Sequence, residues 1–226
     1  MNELIQNLSE TDTAVFLFLN GFHNSFWDQF MSAFTGKLIW IPMYVTILYV
    51  LFRNFHWKTA LCYIAAIALT IGFADQMCNG VIRPLAERLR PSGEGSPIAE
   101  LVHIVDGKRG GGFGFPSCHA SNSFGLAFFL ICLFRRKWLS IFILLWAFTN
   151  SYTRLYLGLH YPGDLLAGAL IGILGAGVFY LIARRIVINK RMPELPQREP
   201  RQTNLIIYVG LIILSGIVTY STIAMW

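Results

Sequence analysis

Residues 163–183 read GDLLAGALIGILGAGVFYLIA, and past Asp164 the run meets no charged side chain until Arg184. About 20 consecutive apolar residues are what a helix needs to cross a bilayer. Working outward, comparable runs occupy about Trp138 to Tyr156, Thr59 to Met77, Met31 to Leu51 and Leu205 to Met225, with a shorter, partly polar one from Ala120 to Phe134. The expectation is an all-α, integral membrane six-helix bundle. Leu4 to Phe30 mixes apolar residues with Glu10, Asp12, His23 and Asp28 in runs too short to cross, so an N-terminal interfacial helix is expected there.

Composition agrees. The chain has 226 residues, 55% hydrophobic and 13% charged, and its polar connections are too short to fold separately, so one domain over 1–226 is expected. The formal charge of +6 does not point to nucleic acid, because the basic residues sit beside apolar blocks. Arg53 with Lys58, Arg135 to Lys137, and Arg184 to Arg201 all fall on one side of a six-span topology, and the positive-inside rule makes that side cytoplasmic. Cys62, Cys78, Cys118 and Cys132 are spread singly and form no CxxC pair, so neither a disulfide framework nor a zinc site is expected, although Cys78 and Cys118 can approach each other at one membrane face. The opening stretch MNELIQNLSETDTAVFLFLNG is acidic and carries no basic leader pattern, so targeting is expected to come from the spans.

Three polar runs interrupt this apolar chain: Arg83 to Pro91, Pro116 to His119, and Thr153 to Asp164. The topology puts all three on the face opposite the cytoplasm, where arginine is normally sparse. Snorkelling to lipid head groups is one reason to keep Arg83, Arg88, Arg90 and Arg154 there. An anionic ligand is the other, since a guanidinium offers a planar fork of donors that matches phosphate oxygens. The glycines between Lys108 and Pro116 suggest a flexible loop; no GK[ST] follows to make a nucleotide cradle.

His160 lies four residues before Asp164, with Pro162 favouring a helix start between them. That spacing puts both side chains on one face, where the carboxylate can fix the imidazole tautomer and leave its other nitrogen free as a nucleophile. Ser117 can cap the helix that begins near His119 or donate to a phosphate oxygen, and the opening helix points backbone N–H groups toward an anion. His119 would then stand near a leaving-group oxygen as general acid.

In order and spacing the three runs resemble the signature of the type 2 phosphatidic acid phosphatase superfamily, which also includes bacterial acid phosphatases, glucose 6-phosphatase and vanadium haloperoxidases. That signature is Lys, six residues, Arg-Pro; Pro-Ser-Gly-His; and Ser-Arg, five residues, His, three residues, Asp. Arg83 stands in the lysine position ahead of Arg90-Pro91, Cys118 in the glycine position of Pro116 to His119, and Thr153 in the serine position before Arg154, His160 and Asp164. Each departure keeps the charge or hydroxyl except Cys118, which adds a side chain where a backbone N–H should approach phosphate. The resemblance implies a metal-independent phosphatase, with no cofactor and no Asp/Glu cluster suggesting a magnesium site. His160 would form a phosphohistidine, Asp164 would support it, and His119 would protonate the leaving oxygen and then activate water. Arg83, Arg90, Ser117, Arg154 and the backbone at Cys118 would hold the equatorial oxygens.

A membrane-embedded phosphatase implies a lipid phosphate as substrate, in a bacterial inner membrane with the site facing the periplasm or exterior. The motifs recognise phosphate alone, so polyprenyl diphosphate or glycerolipid phosphate ranks first and lipid A close behind. A vanadate-dependent haloperoxidase and a non-catalytic phospholipid transporter are the rivals from other classes; nothing in a transporter requires the His160 to Asp164 spacing.

Overall fold

The computed structural model describes residues 3–192 and 202–225, and among them the chain is helical with no strand. The helices are α1 (Glu3–Asn20), α2 (Ser25–Phe34), α3 (Ile41–Asn54), α4 (Trp57–Asp75), the short α5 (Arg83–Ala86), α6 (Cys118–Phe134), α7 (Lys137–Tyr156), α8 (Pro162–Asn189) and α9 (Asn204–Ala224). A π-helical segment, Gln76–Ile82, joins α4 to α5 without a break.

Among the described residues, three helices are long and apolar enough to cross a membrane: Trp57–Ala86, α8 and α9. The bent pair of Ser25–Phe34 with Leu38–Asn54 makes up to four. Length and hydropathy alone thus do not recover all six of the spans expected. α6 is apolar but short, and α7 is diluted by Asn150, Ser151, Thr153 and Arg154. Those polar residues face inward, so hydropathy falls where the bundle has an interior to line. On α8 the outward stripe of Leu166, Leu170, Leu174, Val178 and Leu181 is exposed along the whole helix. A stripe that long suits lipid as its solvent.

The expected first span is broken. Its apolar run continues from α2 into α3, but Thr35, Gly36 and Lys37 interrupt the helix, and the two halves meet at 66°. α2 packs against α7 and α9, and α1, the helix expected at the interface, lies on α7 and α8. Asn20, at the end of α1, is buried and donates Nδ2 to the Tyr156 carbonyl at 2.8 Å, and accepts the His103 N–H at 2.8 Å. At the other end, α8 runs past the expected Ala183 through Arg184 and Arg185, good helix formers whose long side chains keep the charge outside the apolar zone. Residues 193–201 of the expected basic connection lie outside the described residues.

The most intimate contact is between α6 and α8. A Cβ on Gly168 would meet the Ser117 carbonyl oxygen at 2.2 Å, and one on Gly172 the Ser121 carbonyl oxygen at 2.0 Å. Small residues four apart let two backbones touch in this way. The closeness sets the first turn of α8, with Asp164, directly against the first turn of α6, with Ser117.

Candidate active site

A cavity of about 740 Å³ opens between α3, α4, α6 and α7. One end carries Arg83, Arg90, Cys118, His119, Arg154 and His160, and the other is walled by Ile47, Ile64, Ile67, Ile71 and Leu126. Thus residues from all three polar runs meet in one place, at the edge of an apolar chamber.

The turn from α7 into α8 builds the centre. The N–H groups of Leu159 and His160 both donate to the Arg154 carbonyl, at 2.9 and 3.2 Å, which folds the chain back on the end of α7. Pro162 then starts α8 and Asp164 caps it, accepting the Tyr161 N–H on Oδ2 at 3.0 Å. The same Oδ2 lies 3.3 Å from His160 Nδ1. On the far side of the ring, Arg90 brings Nη1 to 3.2 Å from His160 Nε2. A guanidinium only donates, so the proton of the neutral imidazole sits on Nδ1, facing the carboxylate, and Nε2 carries the lone pair.

Each arginine is fixed by oxygen acceptors. Arg83 Nη2 donates to the Pro116 carbonyl at 2.9 Å and Nη1 to Asn79 Oδ1, while Asn79 Nδ2 donates to Asp75 Oδ1 at 2.9 Å. This Asp75, Asn79, Arg83 ladder, four residues apart at each step, runs through the π-helical segment, a form of helix often found at functional sites. Arg90 donates Nε to the Gly111 carbonyl at 3.0 Å and Nη1 to that of Leu159 at 3.1 Å. The glycine run does more here than loosen a loop: a Cβ on Gly110 would lie 2.4 Å from Arg90 Cδ, so only glycine lets the backbone close on that side chain. Arg154 donates Nη1 to Thr35 Oγ1 at 3.0 Å, across from the break between α2 and α3. Arg83 Nε and Arg154 Nε are buried with no protein partner.

Ser117 is fully buried and caps α6, its Oγ accepting the Ala120 N–H at 3.4 Å, and its own N–H donates to the Asp164 carbonyl at 2.9 Å. It is not among the cavity-lining residues, whereas Cys118 and His119 are. The Cys118 thiol hydrogen-bonds Cys78, so the approach of those two cysteines is met, and the His119 ring faces the Thr35 backbone.

Burial pushes His160 down from its ordinary 6.5 to about 4, against the opposing pull of its hydrogen bond to Asp164. At neutral pH its imidazole is therefore uncharged.

The PAP2 superfamily model matches residues 57–188, more than half of the chain. The chain belongs to the PAP2 superfamily. It is 64% identical over 223 residues to the lipid A 4'-phosphatase of Bacteroides thetaiotaomicron, covering 97% of this chain and 99% of that protein. To the lipid A 4'-phosphatase of Porphyromonas gingivalis it is 32% identical over 195 residues, covering 85% and 82%. The crystal structure of Aquifex aeolicus LpxE has the same fold, with a TM-score of 0.56 at 23% identity over 74% of this chain and 93% of that one. This PAP2 protein is a membrane lipid phosphatase, a hydrolase of phosphoric esters.

Around these residues stand others that spacing along the chain does not announce. Arg88 donates Nη1 to Asp164 Oδ1 at 2.9 Å and Nη2 to Asp12 Oδ2 at 2.7 Å, with its guanidinium carbon 4.0 Å from the Tyr161 ring centre. Asp12 also accepts the Gly163 N–H at 2.8 Å, so α1 is tied to the first turn of α8. Arg88 had one visible signal, its charge on the face where arginine is sparse. Asp12 had none, being one acid among several in the N-terminal segment. Lys37 and Thr35 reach the site because the first span breaks at them.

Proposed function

We propose that this protein removes the 4'-phosphate of lipid A by way of a phosphohistidine at His160. The observation that carries the substrate is the 64% identity to a lipid A 4'-phosphatase over nearly the whole of both chains. Polyprenyl diphosphate and glycerolipid phosphate, ranked first on the motifs, drop behind it, because those motifs read phosphate and leave the rest of the lipid unspecified.

In this reading His160 Nε2 attacks phosphorus in line with the sugar oxygen. The P–O bond breaks as His119 gives that oxygen a proton. A water then loses its proton to His119 and attacks phosphorus, the P–N bond breaks, and inorganic phosphate leaves. Asp164 holds the Nδ1 proton and stabilises the imidazolium charge as it develops. Arg83, Arg90 and Arg154 take the non-bridging oxygens, with Cys118 contributing its backbone N–H and Ser117 maintaining the helix start that aims it. Metal is not required by any step.

The chain works as one domain spanning the bilayer six times, counting α2 with α3 as one bent span, together with α4, α6, α7, α8 and α9. The basic connections 53–58 and 135–137 lie at the end of the bundle away from the arginines of the site. That supports a site on the periplasmic face of the inner membrane, where the acyl chains of the lipid stay in the bilayer.

Incubating purified protein with lipid A in detergent plus chelator, and following products by mass spectrometry, tests the reading. Loss of one phosphate from the 4' position is expected. Release only from the 1 position, preference for undecaprenyl diphosphate, or dependence on added metal would each contradict it.

A further inference from the structure

One to two turns deeper than the phosphate end, the cavity carries polar atoms for which the protein supplies no partner. Asn122 Oδ1, Asn150 Oδ1 and Trp146 Nε1 are all buried and unpaired, and all three residues line the chamber. Asn150 is only 7% exposed and Trp146 5%. Asn150 spends Nδ2 on Ser123 Oγ at 2.7 Å, which holds α7 to α6 and turns the rest of its amide toward the cavity. Leaving such groups unpaired in an apolar surrounding is costly, so their position needs an explanation.

Their depth is set by helix periodicity. On α7, Trp146, Asn150 and Arg154 are four residues apart and line the same chamber. At 1.5 Å per residue, Asn150 lies about 6 Å below Arg154 and Trp146 about 12 Å below it. On α6, Asn122 lies about 4.5 Å below His119 by the same rise. Isoleucine and leucine, Ile47, Ile64, Ile67, Ile71 and Leu126, make up most of the remaining wall. The chamber therefore joins a charged end to neutral hydrogen-bonding groups set among hydrocarbon, with Asp75 also on its wall.

We infer that Asn122, Trp146 and Asn150 form a subsite for hydroxyl or amide groups that join a phosphorylated head group to its acyl chains. It rests on the lipid A reading above and deepens it. In an acylated amino-sugar phosphate such groups begin about four to six bonds from phosphorus, roughly 5–8 Å, and they both donate and accept. A polyprenyl phosphate offers only hydrocarbon at that depth and would leave all three protein groups unpaired. Phosphatidic acid offers ester oxygens that accept but do not donate. A site built to hydrogen-bond rejects analogues that lack the partner more strongly than an apolar site rejects a change of size.

Two variants test this without disturbing the phosphate end. Asn122→Leu deletes an oxygen that bonds nothing in the protein, and Trp146→Phe deletes an N–H while keeping a ring beside Trp40. Each is expected to raise KM for lipid A about three- to tenfold, the range of a lost neutral hydrogen bond. The Ki of inorganic phosphate as a product inhibitor, which reads only the arginine end and reports that the site is folded, is expected to stay within twofold of wild type. KM unchanged in both variants, or KM and Ki rising together, would overturn the subsite and leave the substrate reading standing. Wild-type protein that binds phosphate but does not act on lipid A would overturn the substrate reading and the subsite with it.

Discussion

Arg88 Nη1 stands 2.9 Å from Asp164 Oδ1, so the carboxylate that faces His160 is also half of an ion pair. Asp164 is completely buried, and a buried carboxylate without its partner is poorly tolerated. The chain of contacts continues to Asp12, which makes the N-terminal helix a support for the site.

Replacing Arg88 by methionine should therefore lower kcat about 10- to 100-fold, the scale of a charged hydrogen bond lost from a positioning group. Arg88→Lys should recover part of it, and Asp12→Asn should cost several-fold. Steady-state kinetics on the three variants check the order. Equal activity of Arg88→Met and wild type would show that Asp164 is held without Arg88.

The depressed basicity of His160 makes a second expectation. Its ring is neutral from neutral pH down to about 4 and protonates below that, because burial disfavours the charged form. Nε2, which accepts from Arg90 in the free protein, then stays unprotonated throughout the mildly acidic range. The NMR ring signals of His160, assigned by their loss in His160→Gln, should titrate near pH 4 in the free protein. Titration near 6.5 would mean that water reaches the ring.

Gly172 tests the packing that positions everything else. Gly172→Ala would set a methyl 2.0 Å from the Ser121 carbonyl oxygen, and neither backbone can move without separating α6 from α8. Overpacking of this kind costs about 1–3 kcal/mol or more, so the thermal midpoint in detergent should fall by several degrees and activity should fall with it. Gly177→Ala on the same helix meets nothing within 4 Å and should be neutral in both measurements.

Thr35 gives a more local test. Thr35→Val removes the acceptor of Arg154 Nη1 while keeping the volume of the side chain. Arg154 would still face the cavity but less rigidly, so KM for the lipid phosphate should rise a few-fold with the thermal midpoint unchanged. An unaltered KM would leave the break between α2 and α3 without a part in phosphate binding.

The sequence made the centre of this site readable because its logic is local. His160 and Asp164 share a helix start, Pro162 marks it, and Ser117 announces the next one, so spacing alone placed them. The long apolar runs around α4, α8 and α9 were readable for the same reason. What escaped depends on distance along the chain or on a single Gly36-Lys37 step set inside a long apolar run. Asp12 meets Arg88 across 76 residues and the α8 start across 151, and no periodicity links them. The bend at Thr35 to Lys37 lies inside an apolar run that continues on both sides. Ser117 was legible as a cap, while its separation from the cavity follows from the contact of α6 with α8, which only the two glycines hint at.

In the proposed reaction His160 carries the phosphate between the two half-steps. Mixing the protein with lipid A labelled in the 4'-phosphate, quenching in alkali within the first turnover and mapping the label would test it most directly. An alkali-stable, acid-labile phosphate is expected on the peptide containing His160, absent from His160→Ala, which should also release no phosphate. Label on any other residue, or undiminished phosphate release by His160→Ala, would contradict it.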